Sequence, residues 1–291
     1  MKYPAYAWHL SIPLFIGVFF FSACSIIAPV GPKGPGDLMT LPDSKAGEIV
    51  SYLKKQNLHL KTFKGMGRIT FWKNEKKDLT ARVVWAGSVP DKFRIALRSL
   101  AGQPAISVAS DGQWIYLVNH TRGKFYKQHS EDCTMKRFFS IPVTSDDIVS
   151  LLTGRVSVDN YDSAVVLRNG LFSSSVSGSP SSCGAMVSNQ EKPCEPEHGY
   201  ILVLKKGWGN TCQKIYLDAG RKQVRKVEFY SLTGNLKYRA EFKTMQDIEG
   251  YRVPSRLVLT TDEGSGFQLD VDRYWADVSV SPSLFVLTPP E

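Results

Sequence analysis

The chain has 291 residues, 43% of them hydrophobic, 11% aromatic and 22% charged, with 36 Lys and Arg against 27 Asp and Glu for a formal net charge of +9. That length and apolar content can close a sizeable core, which excludes a disordered or fibrous protein. The positive excess suits anionic partners such as lipid headgroups.

The first element is an apolar run from Leu10 to Phe21, preceded by Lys2 as its only charge and broken by Ser11, Pro13 and Gly17. A membrane-spanning helix needs about 20 apolar residues, and a core helix is weakened by Pro13 and Gly17, so the run predicts the apolar region of a secretion signal. The following Phe21-Ser22-Ala23-Cys24 resembles the lipobox of bacterial lipoproteins, with Phe21 where that pattern prefers Leu. The resemblance implies a signal peptide over 1–23 and a Cys24 that carries a diacylglycerol thioether and an N-acyl group, with no other cofactor. Three acyl chains exceed the two signals that stable anchoring needs. Ser25 stands where such lipoproteins carry Asp for retention in the inner membrane, which implies a lipid-anchored protein on the periplasmic face of the outer membrane. Removing 1–23 takes away Lys2 and no carboxylate, so the formal charge falls from +9 to +8. Export argues against nucleic acid as the partner of this basic surface.

Residues 24–42 hold Pro29, Pro32, Pro35 and Pro42 with Gly31, Gly34 and Gly36, a composition that predicts an extended tether after the modified cysteine. A single domain is expected over 43–291. Ala46, Ile49, Val50 and Leu53 then recur at the spacing of one helical stripe, opposite Lys45, Glu48, Lys54 and Lys55. Runs at 63–73, 79–86, 92–100, 104–110, 113–119 and 124–129 are β-branched or aromatic and separated by turn residues, which predicts antiparallel hairpins. In the run at 92–100, Phe93, Ile95 and Leu97 alternate with Arg94, Ala96 and Arg98, a sheet with one buried and one wet face.

A second helix is predicted over Thr144–Thr153, with Thr144 and Asp147 as a capping box, Ile148, Leu151 and Leu152 as its stripe, and Gly154 as its stop. Strands resume near 163–168, 200–206, 213–218, 223–231, 235–243, 252–260 and 266–273, with Pro254 marking an edge or bulge. Residues 173–198 are rich in Ser, Gly and Pro and read as a surface insertion. Cys133, Cys183, Cys194 and Cys212 are an even set in an oxidising compartment, which predicts two disulfides with three pairings open. A zinc site of Cys183, Cys194, His198 and Cys212 has irregular spacing, so no metal is expected.

Phe63, Phe71, Trp72, Trp85, Phe93, Trp114, Phe229, Phe242 and Trp275 fall in strands and are expected in the core. Phe71, Trp85, Phe93, Ile95, Leu97, Trp114, Phe229 and Phe242 are the candidate lining of an apolar cavity. The runs 114–118 and 200–204 are apolar on both faces, so helices, a lid or a ligand must cover the second face. Catalytic signals are missing: His59, His120, His129 and His198 lack the spacing of a metal helix, and no nucleophile elbow or phosphate loop occurs. Asp146 and Asp147 lie at a helix start, where carboxylates complement the macrodipole. No enzyme is expected.

The order of these segments resembles the LolA/LolB lipoprotein-carrier superfamily, in pattern LolB most. The segments that carry it are the lipobox, the Pro/Gly tether, the first helix, FKGMGRITFWKNEKKDLTARVVW, DKFRIALRSLAGQPAISV, FFSIPVTSDDIVSLLTGR and YRVPSRLVL. The resemblance implies an α+β, mainly β fold, an incomplete antiparallel β-barrel of about eleven strands with one to three helices over its concave face. It implies acyl chains or lipoprotein cargo in that concavity, outer-membrane lipid and a periplasmic carrier protein as partners, and a monomer. It also implies a membrane-delivery loop at Leu100, Ala101 and Gly102, where Ala101 replaces the leucine of LolB. Two functions follow: a carrier or receptor that releases lipid-bearing cargo by differential affinity, or a structural or sensor lipoprotein of the same fold that binds a protein partner.

Overall fold

The computed structural model describes residues 39–41, 43–99, 102–130, 141–169, 199–207, 209–220 and 223–290. Among the described residues, fourteen strands form one sheet, antiparallel at every pairing, and two α-helices accompany it. The strands are β1 (Met39–Leu41), β2 (Thr62–Lys73), β3 (Lys76–Ser88), β4 (Lys92–Arg98), β5 (Pro104–Ser110), β6 (Trp114–Asn119) and β7 (Lys124–His129). They continue as β8 (Ser163–Asn169), β9 (Gly199–Lys206), β10 (Asn210–Leu217), β11 (Val224–Tyr230), β12 (Leu236–Ile248), β13 (Tyr251–Thr260) and β14 (Gly266–Ala276). Their lateral order is β1, β8 to β14, then β2 to β7, so β1 and β7 are unjoined edges and the barrel is incomplete, as expected. The count exceeds eleven. No described helix is long and apolar enough to cross a membrane.

Two meanders of hairpins, β2 to β7 and β8 to β14, meet where β14 pairs with β2. Among the described strands, two consecutive pairs are not neighbours in the sheet. One connection runs from β1 at an edge to β2 in the middle and carries α1 (Asp43–Lys55); the other runs from β7 at one edge to β8 beside the opposite edge and carries α2 (Ser145–Leu152). A connection between distant strands must cross a face, and both helices lie on the same one, where their apolar stripes join the main core. Register shifts in β10, β12 and β14 mark bulges that bend the strands.

The predicted stripe of α1 holds: Ala46, Ile49, Val50 and Leu53 are all buried. Thr144 caps α2 in the expected box, its hydroxyl accepting from the Asp147 amide while the Asp147 carboxylate accepts from the Thr144 amide. Thr153 closes α2, and Gly154 follows at φ +68°, where an added Cβ would lie 2.3 Å from the Arg252 carbonyl oxygen. Glycine is therefore required twice over, by backbone conformation and by the approach of β13. Pro254 sits opposite a bulge of β12 and outside the ladder of β14, which begins at Arg256, so its missing amide costs no bond there.

Three expectations differ from the structure. The end of the proposed tether, Met39–Leu41, pairs with Val166, Leu167 and Arg168 as an edge strand, because short extended backbone there finds an open ladder. β12 runs to Ile248 rather than 243, its polar second half held by pairing with β13 on to Tyr251. Cys212 is a free thiol buried in the core that donates to the Leu204 carbonyl at 3.3 Å. Burial pushes that thiol above its ordinary value. Residues 1–38, with Cys24 and Ser25, and the insertion at 173–198, with Cys183 and Cys194, lie outside the described residues, as do Cys133, Leu100 and Ala101.

Candidate functional site

Alternation along the strands splits the sheet into an inner face toward the helices and an outer face. On the inner face Ile69 of β2, Val83 and Trp85 of β3, and Ile95 and Leu97 of β4 meet Leu257 and Leu259 of β13 and Phe267 and Leu269 of β14. Val143 and the α2 residues Ile148, Leu151 and Leu152 roof them. The space left between is a cavity of about 60 Å³ whose wall presents no polar side chain. Water needs two or more polar partners, so a cavity of this size and lining stays dry.

The wall is shaped by a glycine. Gly65 pairs with Trp85 across β2 and β3, and a Cβ there would lie 2.2 Å from the indole ring, so the absent side chain is what lets the ring lie flat over β2. The indole Nε1 is buried without a hydrogen-bond partner, a cost that burial of the ring area offsets.

The lid is fastened at one residue. Asn57, at φ +49° just beyond α1, donates through Nδ2 to the carbonyls of Thr153 and Arg252, each at 2.8 Å, while the Arg252 amide donates to its Oδ1 at 3.3 Å. One amide thus joins the end of α1, the end of α2 and the start of β13. Asn tolerates this left-handed backbone better than most residues. At the other end of α2 the Asp146 carboxyl accepts from the Ser157 hydroxyl at 3.1 Å, and burial raises its pKa, as it does that of Asp159.

Of the expected lining residues, Trp85, Ile95 and Leu97 line the cavity. Phe71 adjoins it through Phe267, the ring centroids 5.9 Å apart. Phe93, Phe229 and Phe242 belong to the same core without lining the cavity; Phe229 stacks on Tyr238 at 4.5 Å and Phe242 pairs with Leu257. Trp114 is on the other side of the sheet. It follows the outward alternation of β6, packs with Tyr116, Val118, Ala109 and Phe125 against Leu287, and meets the Lys127 ammonium at 4.3 Å. Trp275, expected in the core, is likewise outward and 40% exposed, because the bulge near Val271 resets the alternation of β14. Gly102 closes the turn after β4, its amide donating to the Ser99 carbonyl. The lining from β13 and β14 was missed, although Leu257 with Leu259 and Phe267 with Leu269 alternate visibly in the sequence.

The outer face carries a different chemistry at each end. Across β10 to β12, Glu228 accepts from the hydroxyls of Tyr216 and Tyr230 and pairs with Lys226 at 3.1 Å and Arg239 at 2.9 Å. Burial pushes the Glu228 carboxyl up, and those hydroxyls with the Lys226 charge outweigh it, leaving a pKa of about 2. Across β2 to β4, Arg68 lies opposite Arg82 and Arg82 opposite Arg98.

No protein-family model matches the sequence, and no curated protein sequence matches it. The fold does have solved counterparts. A putative outer membrane lipoprotein-sorting protein domain from Vibrio parahaemolyticus is 13% identical with a TM-score of 0.58, over 84% of this chain and 97% of its own. A DUF1329 family protein from Desulfovibrio piger is 14% identical with a TM-score of 0.55, over 84% and 97%. A LolA superfamily protein from Nitrosomonas europaea is 12% identical with a TM-score of 0.52, over 83% and 97%. The chain therefore has a LolA/LolB-like fold.

Proposed function

We propose that this protein is a lipoprotein, anchored at the outer membrane through Cys24 with Ser25 as its sorting residue, that binds acyl chains or lipoprotein cargo beneath α2. It would act in lipoprotein localisation or envelope assembly by differential affinity, with no covalent step, receiving cargo from a periplasmic carrier. The observation that carries the reading is the dry cavity walled by aliphatic and aromatic side chains, since close-packed interiors leave few voids larger than a water molecule. At about 60 Å³ it is smaller than the roughly 150 Å³ cavity that takes a benzene. An acyl chain therefore enters only as α2 lifts. The solved counterparts named for lipoprotein sorting and for the LolA superfamily support a lipid-bearing cargo.

The test uses the chain with Cys24→Ser, examined by mass spectrometry for bound acyl chains and by uptake of a fluorescent fatty acid. Near-stoichiometric binding is expected, with loss of uptake in Leu269→Trp, which fills the cavity from β14. Absence of both bound chains and uptake would sink the proposal. Leu100→Glu should slow transfer to vesicles more than uptake; equal loss of both counts against that loop as the delivery element. The nearly filled interior favours a second reading, a non-transporting structural or sensor module of the same fold, for which uptake is absent and a protein partner is bound instead.

A further inference from the structure

The outer face of β2, β3 and β4 holds a groove of about 530 Å³ that the inner cavity does not explain. Val84, Ala86 and Ala96 form its floor, Met66 and Trp275 one wall, and Leu284 of the short helix Pro282–Phe285 the other. Met66 and Trp275 are 38% and 40% exposed. Arg94 and Arg98 rim the groove, and a neighbouring depression adds Arg68 and Arg82, with one carboxylate, Asp272, beside them.

Like charges directly opposite on adjacent strands repel, and here Arg68, Arg82 and Arg98 stand side by side across three strands. Arg68 lies near Asp270, whose carboxyl it helps hold below the usual range, but that carboxylate is already paired with Arg256. Among the described residues no ion pair reaches Arg82, Arg94 or Arg98. At the other end of the same face, by contrast, Lys226 and Arg239 both pair with Glu228. Lys64 at the groove is also engaged, donating to the Ser279 carbonyl at 2.9 Å.

We infer that this groove binds an anionic phospholipid, with Arg82 and Arg98, opposite one another on β3 and β4, taking the phosphate and the floor and the Met66–Trp275 wall taking the start of its acyl chains. Guanidinium groups match a phosphate in planar, two-point geometry. Exposed Trp beside Arg is the pairing found where headgroup meets hydrocarbon. A free phosphate would leave the apolar wall bare, and an acidic peptide would have no use for the floor. The site lies on the face opposite the acyl cavity and stands whether or not that cavity is used.

The test is calorimetric titration of the full chain carrying Cys24→Ser with dihexanoyl-phosphatidylglycerol below its micelle concentration, against dihexanoyl-phosphatidylcholine, inorganic phosphate and hexaglutamate. Saturable binding of the glycerol lipid is expected, about tenfold or more tighter than any of the other three. The pair Arg82→Gln with Arg98→Gln should weaken it about tenfold or more while raising Tm, since it relieves repulsion; a merely structural pair would lower Tm. Lys54→Gln on the exposed face of α1 should change nothing, and excess fluorescent fatty acid should not displace the lipid. Equal binding of the two lipids, phosphate binding as tight as the lipid, tighter hexaglutamate, displacement by the fatty acid, or full affinity in the double variant would each overturn the inference.

Discussion

At the scale of single residues, the clearest electrostatic commitment is Glu228. Its side chain is almost wholly enclosed, yet it remains ionised because two hydroxyls and two cations converge on it. The folded pKa of about 2 lies below the ordinary 4.5, so ionised Glu228 favours the folded state. That contribution is complete above about pH 4.5 and fades as the pH falls through about 2. Discounted for the half-exposed cations around it, it is on the order of 1–2 kcal/mol. Glu228→Gln is expected to lower stability at pH 7 by about that amount and to match the wild type near pH 2, which urea unfolding at both pH values measures. A constant difference across the range would mean that hydrogen bonding rather than charge supplies the effect.

At the scale of elements, the two helices owe their position to topology and their attachment to Asn57. The helix stripes, the Thr144 box and the bounds of β5 and β7 were all legible in the sequence, since each is a local pattern of side chains on one backbone geometry. Which way a doubly apolar strand faces was not. Trp114-Ile115-Tyr116-Leu117-Val118 alternates, but with two apolar sets the alternation cannot say which one is inside. Nor can a lone bulge be read, and the one in β14 turns Trp275 outward. Asn57 makes three bonds to segments about 100 and 200 residues away in sequence, and these have no local sign. Asn57→Ala removes these bonds and strains the left-handed backbone, with an expected loss of about 2–4 kcal/mol. Asn57→Gly relieves the strain but not the loss of bonds, so it should fall between, and both should speed exchange of the fluorescent fatty acid. Unchanged exchange in a folded Asn57→Gly would show that α2 is not held shut there.

For the molecule as a whole, one sheet is packed on both sides by different means. The helices cover the inner face, and the C-terminal segment crosses part of the outer face, where Leu287 joins Ala109, Tyr116 and Val118 in a second, smaller core. That is the cover the doubly apolar strand β6 required, supplied by the last residues of the chain rather than by a helix or ligand. Leu287→Ala should cost about 2 kcal/mol, at the low end for buried leucines because the cluster is small. Hydrogen exchange should rise in β5 to β7 and not in β10 to β13; a uniform rise would mean that the two cores melt together. The edge strand β1 has its own consequence. A pull applied at Met39 meets a strand that holds only three paired positions. Such a short ladder gives way ahead of the long strands behind it, and each freed residue adds about 3.5 Å of reach. Under load the protein thus gains slack before its fold is threatened.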